Sequence, residues 1–258
     1  MEYNVRAVER ALSILKCFNS NRKEISLLEI SEIMSLNKST VYRLLVNLKN
    51  AGFVDTTIDG KYIIGNEIVR LANIRQNDDF LIKGSYSIME SLAQLSGETI
   101  ILVKYDNCRV ICLDKIESTN ALKITSEIGV NLPMMKGATG KSIAAFLTDA
   151  ELEKCVNFQQ REFKEQYYLP KLKNDFKQIR KNGYALTTSE IDDGVTAFAV
   201  PILGHDGHVL GSISIAGPDF RFNEKIINSF KHKAIEEIGN LSKKMGYSLN
   251  SFNPPSYN

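Results

Sequence analysis

Residues 36–52 read LNKSTVYRLLVNLKNAG. At about 100° per residue, a helix over this stretch puts Val41, Leu44, Leu45 and Leu48 on one stripe. Ser39, Arg43 and Asn50 fall on the opposite side, flanked by Thr40, Tyr42 and Asn47. Asn37 stands where an N-cap belongs, its side chain able to accept from the first free N–H groups, and Gly52 stands where a left-handed C-cap belongs. Between Glu32 and Asp55 there is no carboxylate, while Lys38, Arg43 and Lys49 are present. Such a face can approach a polyanion without like-charge repulsion. Most amphipathic helices with a few lysines only cover a core, so this helix decides nothing alone. The preceding stretch decides: SLLEISEIM, Ser26 to Met34, has its apolar residues at helical spacing and leads through Ser35-Leu36-Asn37 into the basic helix. Two short helices joined by a tight turn, the second one cationic, form a helix-turn-helix.

Working outward, Val5 to Phe18 reads as a first helix with Val8, Ala11, Leu12, Leu15 and Phe18 inward and Arg6, Glu9 and Arg10 outward. Beyond the basic helix, Phe53-Val54-Asp55 and Lys61-Tyr62-Ile63-Ile64 are two β-prone runs joined by an Asp-Gly turn, the signature of a hairpin. Three helices and a hairpin predict a winged helix-turn-helix over residues 1–65, with Asp59, Gly60 and Lys61 at the wing tip. Asn66 to Arg75 carries Ile68, Leu71, Ala72 and Ile74 at helical spacing and runs into the polar cluster at 76–79. It predicts a linker helix over 66–77, followed by a second domain at 78–248 and a loose tail at 249–258.

In the second domain a helix is expected from Phe80 to Leu95, closed by Gly97. The period then changes to that of strands: TIILVKY, VICLDKIE and ALKITSE predict a three-stranded antiparallel meander. Helical patterns return at Thr139–Leu147, Asp149–Val156 and Leu169–Lys181. Strands resume at YALTTSE, VTAFAVPIL and HVLGSISIAG, the last two joined by a turn at His205–His208, before a final helix from Asn223 to Met245. An antiparallel sheet of five or six strands flanked by helices is an α+β domain.

Composition bounds the partners. A chain of 258 residues, 43% hydrophobic and 24% charged, can bury one large or two modest cores. The net charge of +2 excludes a global polycation, so contact with nucleic acid must come from a local surface. Residues 1–75 lean that way, with eleven Lys and Arg against eight Asp and Glu. The N-terminus has charges scattered through its apolar positions, unlike a signal peptide, and no apolar run reaches membrane-spanning length. The four cysteines, Cys17, Cys108, Cys112 and Cys155, are irregularly spaced, with only Cys108 and Cys112 close in sequence. Reduced thiols in a cytoplasmic protein are expected, and no zinc.

MKGATGKS, Met135 to Ser142, is a near miss of a phosphate-cradling loop: Gly140-Lys141-Ser142 fits, but Met135 stands where the first glycine is required. Gly137 and Gly140 either let backbone approach a ligand at a helix N-terminus, where free N–H groups suit a carboxylate, or serve close packing. Glu190, Asp192 and Asp193 read as solvated carboxylates in a loop between strands, and His205 and His208 as turn residues without a third ligand. No nucleophile, base and orienting acid come together, which argues against an enzyme. Thr187, Thr188, Ser189, Ser212 and Ser214 beside Ala197, Ala199 and Ala216 leave room on a sheet face, suiting either a small-ligand cavity or a closely packed helix.

Taken together, several stretches resemble the IclR-type bacterial transcriptional regulators. In the first half these are Arg10–Leu15, Ser26–Ile30, Lys38–Leu45, and Tyr62 with Gly65. In the second they are Ser96–Thr99, Leu132-Pro133 followed by Gly140-Lys141, Gly183–Ala185, Glu190 with Gly194, and Ile213–Pro218. The resemblance spans nearly the whole chain and departs from the family's usual Leu-His-Ala-Ser or Leu-His-Ala-Thr at Met134–Gly137. It implies a winged helix-turn-helix joined by a helix to a GAF-like effector domain, in dimers or dimers of dimers, that binds operator DNA under control of a small organic effector and needs no cofactor. Lys38, Ser39, Thr40, Tyr42 and Arg43 would meet the duplex, with Lys61 on the wing. Carried over, the effector pocket would have Ile124, Leu132, Ala138 and Thr139 on one wall and Thr187, Ala197, Ser214 and Ala216 on the other. The rival is a small-molecule enzyme or nucleotide-binding module carrying a winged-helix protein-interaction domain.

Overall fold

The computed structural model describes residues 5–19, 22–71 and 80–248, and the chain divides into two units, Met1–Asp79 and Phe80–Asn258. The first unit comprises helices α1 (Arg6–Leu15), α2 (Leu27–Met34) and α3 (Lys38–Asn50) and a hairpin of β1 (Val54–Thr56) and β2 (Tyr62–Ile64). Ser26 caps α2 reciprocally: its hydroxyl accepts from the Glu29 N–H while the Glu29 carboxylate accepts from the Ser26 N–H at 2.8 Å. Ser35, in left-handed backbone, ends that helix and turns the chain into α3. Asn37 caps α3 with its backbone carbonyl, which accepts from Thr40 and Val41, and not with its side chain. Gly52, at φ 76°, closes the other end. Ile25 exchanges both backbone hydrogen bonds with Tyr62, fastening the start of α2 to the wing.

Ile14, Ile25, Ile30, Val41, Leu45 and Val54 are sealed in the core of this unit. Each such side chain contributes roughly 1.5–3 kcal/mol on burial. The inward face of α1 differs from the expectation: Ile14 is its buried residue, and Val8 and Leu12 stand exposed. Three- and four-residue spacing is satisfied by more than one stripe here, and Ile14 meets the core. Residues 66–71 are helical; the rest of the expected linker helix, 72–77, and the expected loose tail, 249–258, lie outside the described residues.

The second unit holds a six-stranded antiparallel sheet in the order β5-β4-β3-β8-β7-β6. Its strands are β3 (Thr99–Asp106), β4 (Arg109–Ile116), β5 (Asn131–Leu132), β6 (Ala185–Thr188), β7 (Val195–Leu203) and β8 (Val209–Pro218). Helices α4 (Phe80–Ser96) and α8 (Glu224–Lys244) cover one face, where Met89, Leu92, Phe230 and Ile238 pack on Ile100, Leu102, Phe198 and Ile215. The other face is covered by α5 (Gly137–Ala144), α6 (Asp149–Phe163) and α7 (Leu169–Asn182), whose Ala138, Leu152, Cys155 and Phe176 join Ile101 and Val103 in a second core. Burial on both faces explains why TIILV is apolar throughout instead of alternating.

Two expectations fail. ALKITSE forms no strand. The edge of β4 is taken by residues 129–132, with Cys112 donating to the Val130 carbonyl and accepting from Gly129. Residues 117–130 instead form a loop pinned where Lys115 and Lys123 both hold Glu117 at 2.6 Å. The expectation of reduced thiols throughout also fails: Cys108 and Cys155 form a disulfide, their Cα atoms 4.7 Å apart, while Cys17 and Cys112 are buried free thiols. The hairpin tip between β3 and β4 places Cys108 in left-handed backbone directly against α6. Packing, and not proximity in sequence, chose its partner.

Candidate functional site

Helix α3 buries Val41 and Leu45 completely, which turns Lys38, Ser39, Tyr42 and Arg43 outward; Thr40 is half-buried on its flank. Tyr42 is 53% exposed, a large aromatic surface for a residue beside the core. Among the described residues Lys38 and Arg43 make no ion pair, whereas Lys49 lies 3.7 Å from Asp55 and Lys61 4.0 Å from Glu24. Lys61 follows the tight turn in which Thr57 and Lys61 exchange bonds and Gly60 takes φ 76°. Asn47 turns back to the Arg43 carbonyl at 2.8 Å and is spent inside its own helix. Among the described residues the unpaired cations of this face are therefore Lys38 and Arg43, near the Ser39 hydroxyl.

In the second unit, strand register sets up the other candidate site. Thr187 lies opposite Ala197, and Ala197 opposite Ala216, so three neighbouring strands present small side chains in one row. A cavity of about 110 Å³ lies over that row, and Ile124, Leu132, Thr139, Thr187, Ala197 and Ala216 all line it. Ala138 and Ser214 do not. The Ala138 methyl is packed in the core, and the Ser214 hydroxyl, fully buried, donates to the Ile101 carbonyl at 3.5 Å. Ser142 ties helix α5 to the sheet, and Gln159 of α6 ties the segment ahead of α5 to the β3–β4 hairpin. The Ser142 hydroxyl donates to Ser212 at 2.9 Å, and the buried Gln159 amide accepts from Met134 N–H at 3.0 Å and donates to the Cys108 carbonyl at 2.8 Å. Gly140 serves close packing: a side chain there would collide with the Pro133 carbonyl and come within 2.6 Å of Met134 Cα.

Glu190, read from the sequence as a solvated loop carboxylate, does lie in a loop with 32% of its side chain exposed, but both its oxygens are engaged: Oε2 accepts from Gly137 N–H at 2.9 Å, at the start of α5, and Oε1 accepts from Lys141 Nζ at 2.7 Å. Lys141, with 7% of its side chain exposed, is shared with Asp175 at 2.8 Å. The lysine of the phosphate-loop near miss is thus a buried counter-ion inside the fold. A wider recess of about 340 Å³, lined by Lys141, Asp175, Gln178, Asn182 and Tyr184, shares Thr187 and Glu190 with the cavity. Beside the cavity, Glu117 accepts from Lys115, Lys123 and Thr125, and these bonds hold its carboxyl far down, at about 2. Only the residue separation of 53 between Gly137 and Glu190 hid the contact. The sequence signal at this loop, Glu190 with Gly194, belongs to the family resemblance and does not name the glutamate's partner.

Comparison with known proteins gives the same division of the chain. Residues 7–57 match the IclR helix-turn-helix domain, and residues 77–242 match the bacterial transcriptional regulator IclR C-terminal domain. The chain is 30% identical to the HTH-type transcriptional regulator XynR of Escherichia coli, over 94% of this chain and 98% of that one. It is 30% identical to the HTH-type transcriptional regulator KdgR of Dickeya chrysanthemi, over 95% of this chain and 81% of that one. The crystal structure of the Thermotoga maritima IclR superposes with a TM-score of 0.78 at 26% identity, covering 95% of this chain and all of that one (100%). An IclR homologue from Microbacterium hydrocarbonoxydans, crystallised in complex with 4-hydroxybenzoate, shares the fold at a TM-score of 0.76 and 19% identity, over 92% of this chain and 99% of that one.

Proposed function

The chain belongs to the IclR family of DNA-binding bacterial transcriptional regulators, and we propose that a small carboxylate-bearing molecule in the cavity over Thr187, Ala197 and Ala216 controls its hold on operator DNA. It is a regulator and not an enzyme, as its relatives are. The observation that carries the DNA contact is the pair of unmatched cations, Lys38 and Arg43, on the exposed face of α3. Lys38 and Ser39 meet phosphates, Arg43 reads a base edge in the major groove, and Thr40 and Tyr42 flank it. Lys61 on the wing touches backbone or minor groove. The protein acts as a homodimer, or a pair of dimers, so that two such helices meet half-sites one duplex turn apart, roughly 34 Å.

The effector contact rests on the cavity's composition. Apolar walls from Ile101, Ile124, Leu132 and Val195 surround a few hydroxyls, from Thr139, Thr187 and Ser126, which is how small-molecule sites are built. An IclR homologue of the same fold was crystallised in complex with 4-hydroxybenzoate, a small aromatic acid, which supports this reading. Fluorescence anisotropy of labelled operator, titrated with the full chain in the presence of small organic, aromatic and sugar acids, tests the proposal. At least one acid is expected to shift operator affinity tenfold or more. Operator binding indifferent to every acid, together with no thermal shift from any of them, would leave the second unit as a dimerisation element without an effector.

A further inference from the structure

We propose that Glu190 is a resident carboxylate in the effector's place, and that an anionic effector binds by displacing it from the start of α5; this rests on the effector site proposed above. The start of α5 is an anion-binding end. The N-cap residue Lys136 does not cap the helix with its side chain, whose ammonium is paired with Glu165 at 2.8 Å, and among the described residues the N–H groups of Ala138 and Thr139 have no acceptor. Thr139 lines the cavity and is only 9% exposed, and among the described residues its hydroxyl has no hydrogen-bond partner. Open N–H groups and the helix dipole favour negative charge at this point. The third N–H, that of Gly137, is already taken by Glu190 at 2.9 Å.

The charges then conflict. Glu190 and Asp192 line the cavity, and no Lys, Arg or His does. The nearby ammonium, on Lys141, is held between Glu190 at 2.7 Å and Asp175 at 2.8 Å. A second carboxylate seated on Ala138 and Thr139 would lie beside that of Glu190 in a partly enclosed space with no cation between them, which like-charge repulsion opposes strongly. An acid therefore binds well only when Glu190 leaves.

The structure provides for the departure. Glu190 also walls the wider recess that contains Lys141, Gln178 and Asn182, so its carboxylate can swing there and keep its ammonium partner. It sits in the loop between β6 and β7, bounded by left-handed Ser189 (φ 54°) and Gly194 (φ 73°). The same loop carries Ile191, packed so closely over Gly137 that an added Cβ would come within 2.5 Å of Ile191 Cδ1. Ile191 and Asp192 of the same loop are also cavity wall.

Calorimetric titration of the full chain with pyruvate, gluconate and 4-hydroxybenzoate, each beside a neutral counterpart (pyruvamide, sorbitol, 4-hydroxybenzamide), tests this in wild type and in Glu190→Gln. The variant keeps the side chain's size, removes its charge, and leaves Lys141 with Asp175. An acid that binds wild type is expected to bind the variant at least tenfold tighter, with its neutral counterpart changed less than twofold. Equal or weaker acid binding by the variant, or an equal gain for the neutral compound, overturns the displacement while leaving the effector site standing. No binding of any compound by either protein removes the effector site and the displacement with it. Should Glu190→Gln fold poorly, the Gly137 amide resonance in ¹⁵N-labelled wild type decides: it must move when an acid binds, and an acid that saturates the protein without moving it refutes displacement.

Discussion

Replacing Arg43 by Ala should separate reading from holding. The guanidinium is exposed on α3 and makes no ion pair among the described residues, so its loss leaves the packing of Val41 and Leu45 intact. A bidentate contact between Arg and a base edge is worth about 1–3 kcal/mol of discrimination. A symmetric dimer uses it twice, which makes about 4 kcal/mol, or on the order of a thousandfold in operator affinity at 1.4 kcal/mol per tenfold. Affinity for random duplex should fall only severalfold. Lys38→Ala is the internal contrast, because a phosphate contact carries no sequence information. Two lost contacts per dimer reduce the slope of log affinity against log salt by about 1.8, weakening operator and random DNA together. Both variants are compared with wild type by anisotropy on operator and scrambled duplexes between 50 and 200 mM salt. If Arg43→Ala weakens both sequences by the same factor, Arg43 reads nothing and the assignment of its role is wrong.

Gln159→Leu should destabilise the second unit by about 3 kcal/mol in a denaturant titration, since it strips partners from the Met134 N–H and the Cys108 carbonyl in a fully buried place; an unchanged midpoint would show that these groups find other partners. Acid should undo the Glu117 clasp. Its folded pKa of about 2 lies below the ordinary 4.5, so the stabilisation is complete above about pH 4.5 and lost as pH falls toward 2. The amide resonances of residues 117–125 should shift across that window in wild type and not in Glu117→Gln, and identical profiles in the two would contradict the clasp. Ser26→Ala should cost the first unit about 1 kcal/mol by removing the cap of α2, visible as a lower midpoint in chemical unfolding monitored by circular dichroism.

How much of this was legible in the sequence varies with the range of the interaction. Capping residues, turn glycines and the stripe of α3 act over three or four residues, so Asn37, Gly52 and Gly60 mark element ends that the structure places where the pattern does, although Asn37 uses its carbonyl and not its side chain. The β7 run Val195–Leu203 is apolar apart from Thr196, and its ends coincide with the strand. ALKITSE failed because strand-like composition does not supply a free edge, and β4 had given its edge to Val130–Leu132. On α1 the helix was legible and its inward face was not, because the deciding contact belongs to other helices. For the cavity, family resemblance picked six lining residues that local pattern alone left balanced between a pocket and packing. The contact between Glu190 and Lys141 was not legible for one reason: a charged residue's role depends on the partner brought to it, here across 49 residues.

The central claim is that the cationic, hydroxyl-bearing face of α3 fits a duplex. Sequencing the fragments of genomic DNA that the full chain retains, beside those retained by the Lys38→Ala/Arg43→Ala double variant, tests it most directly. The claim predicts a shared two-fold symmetric motif, with half-sites about 10–10.5 base pairs apart or a multiple of that, enriched by wild type and lost in the variant. Recovery of the same motif at the same enrichment by both proteins would contradict it.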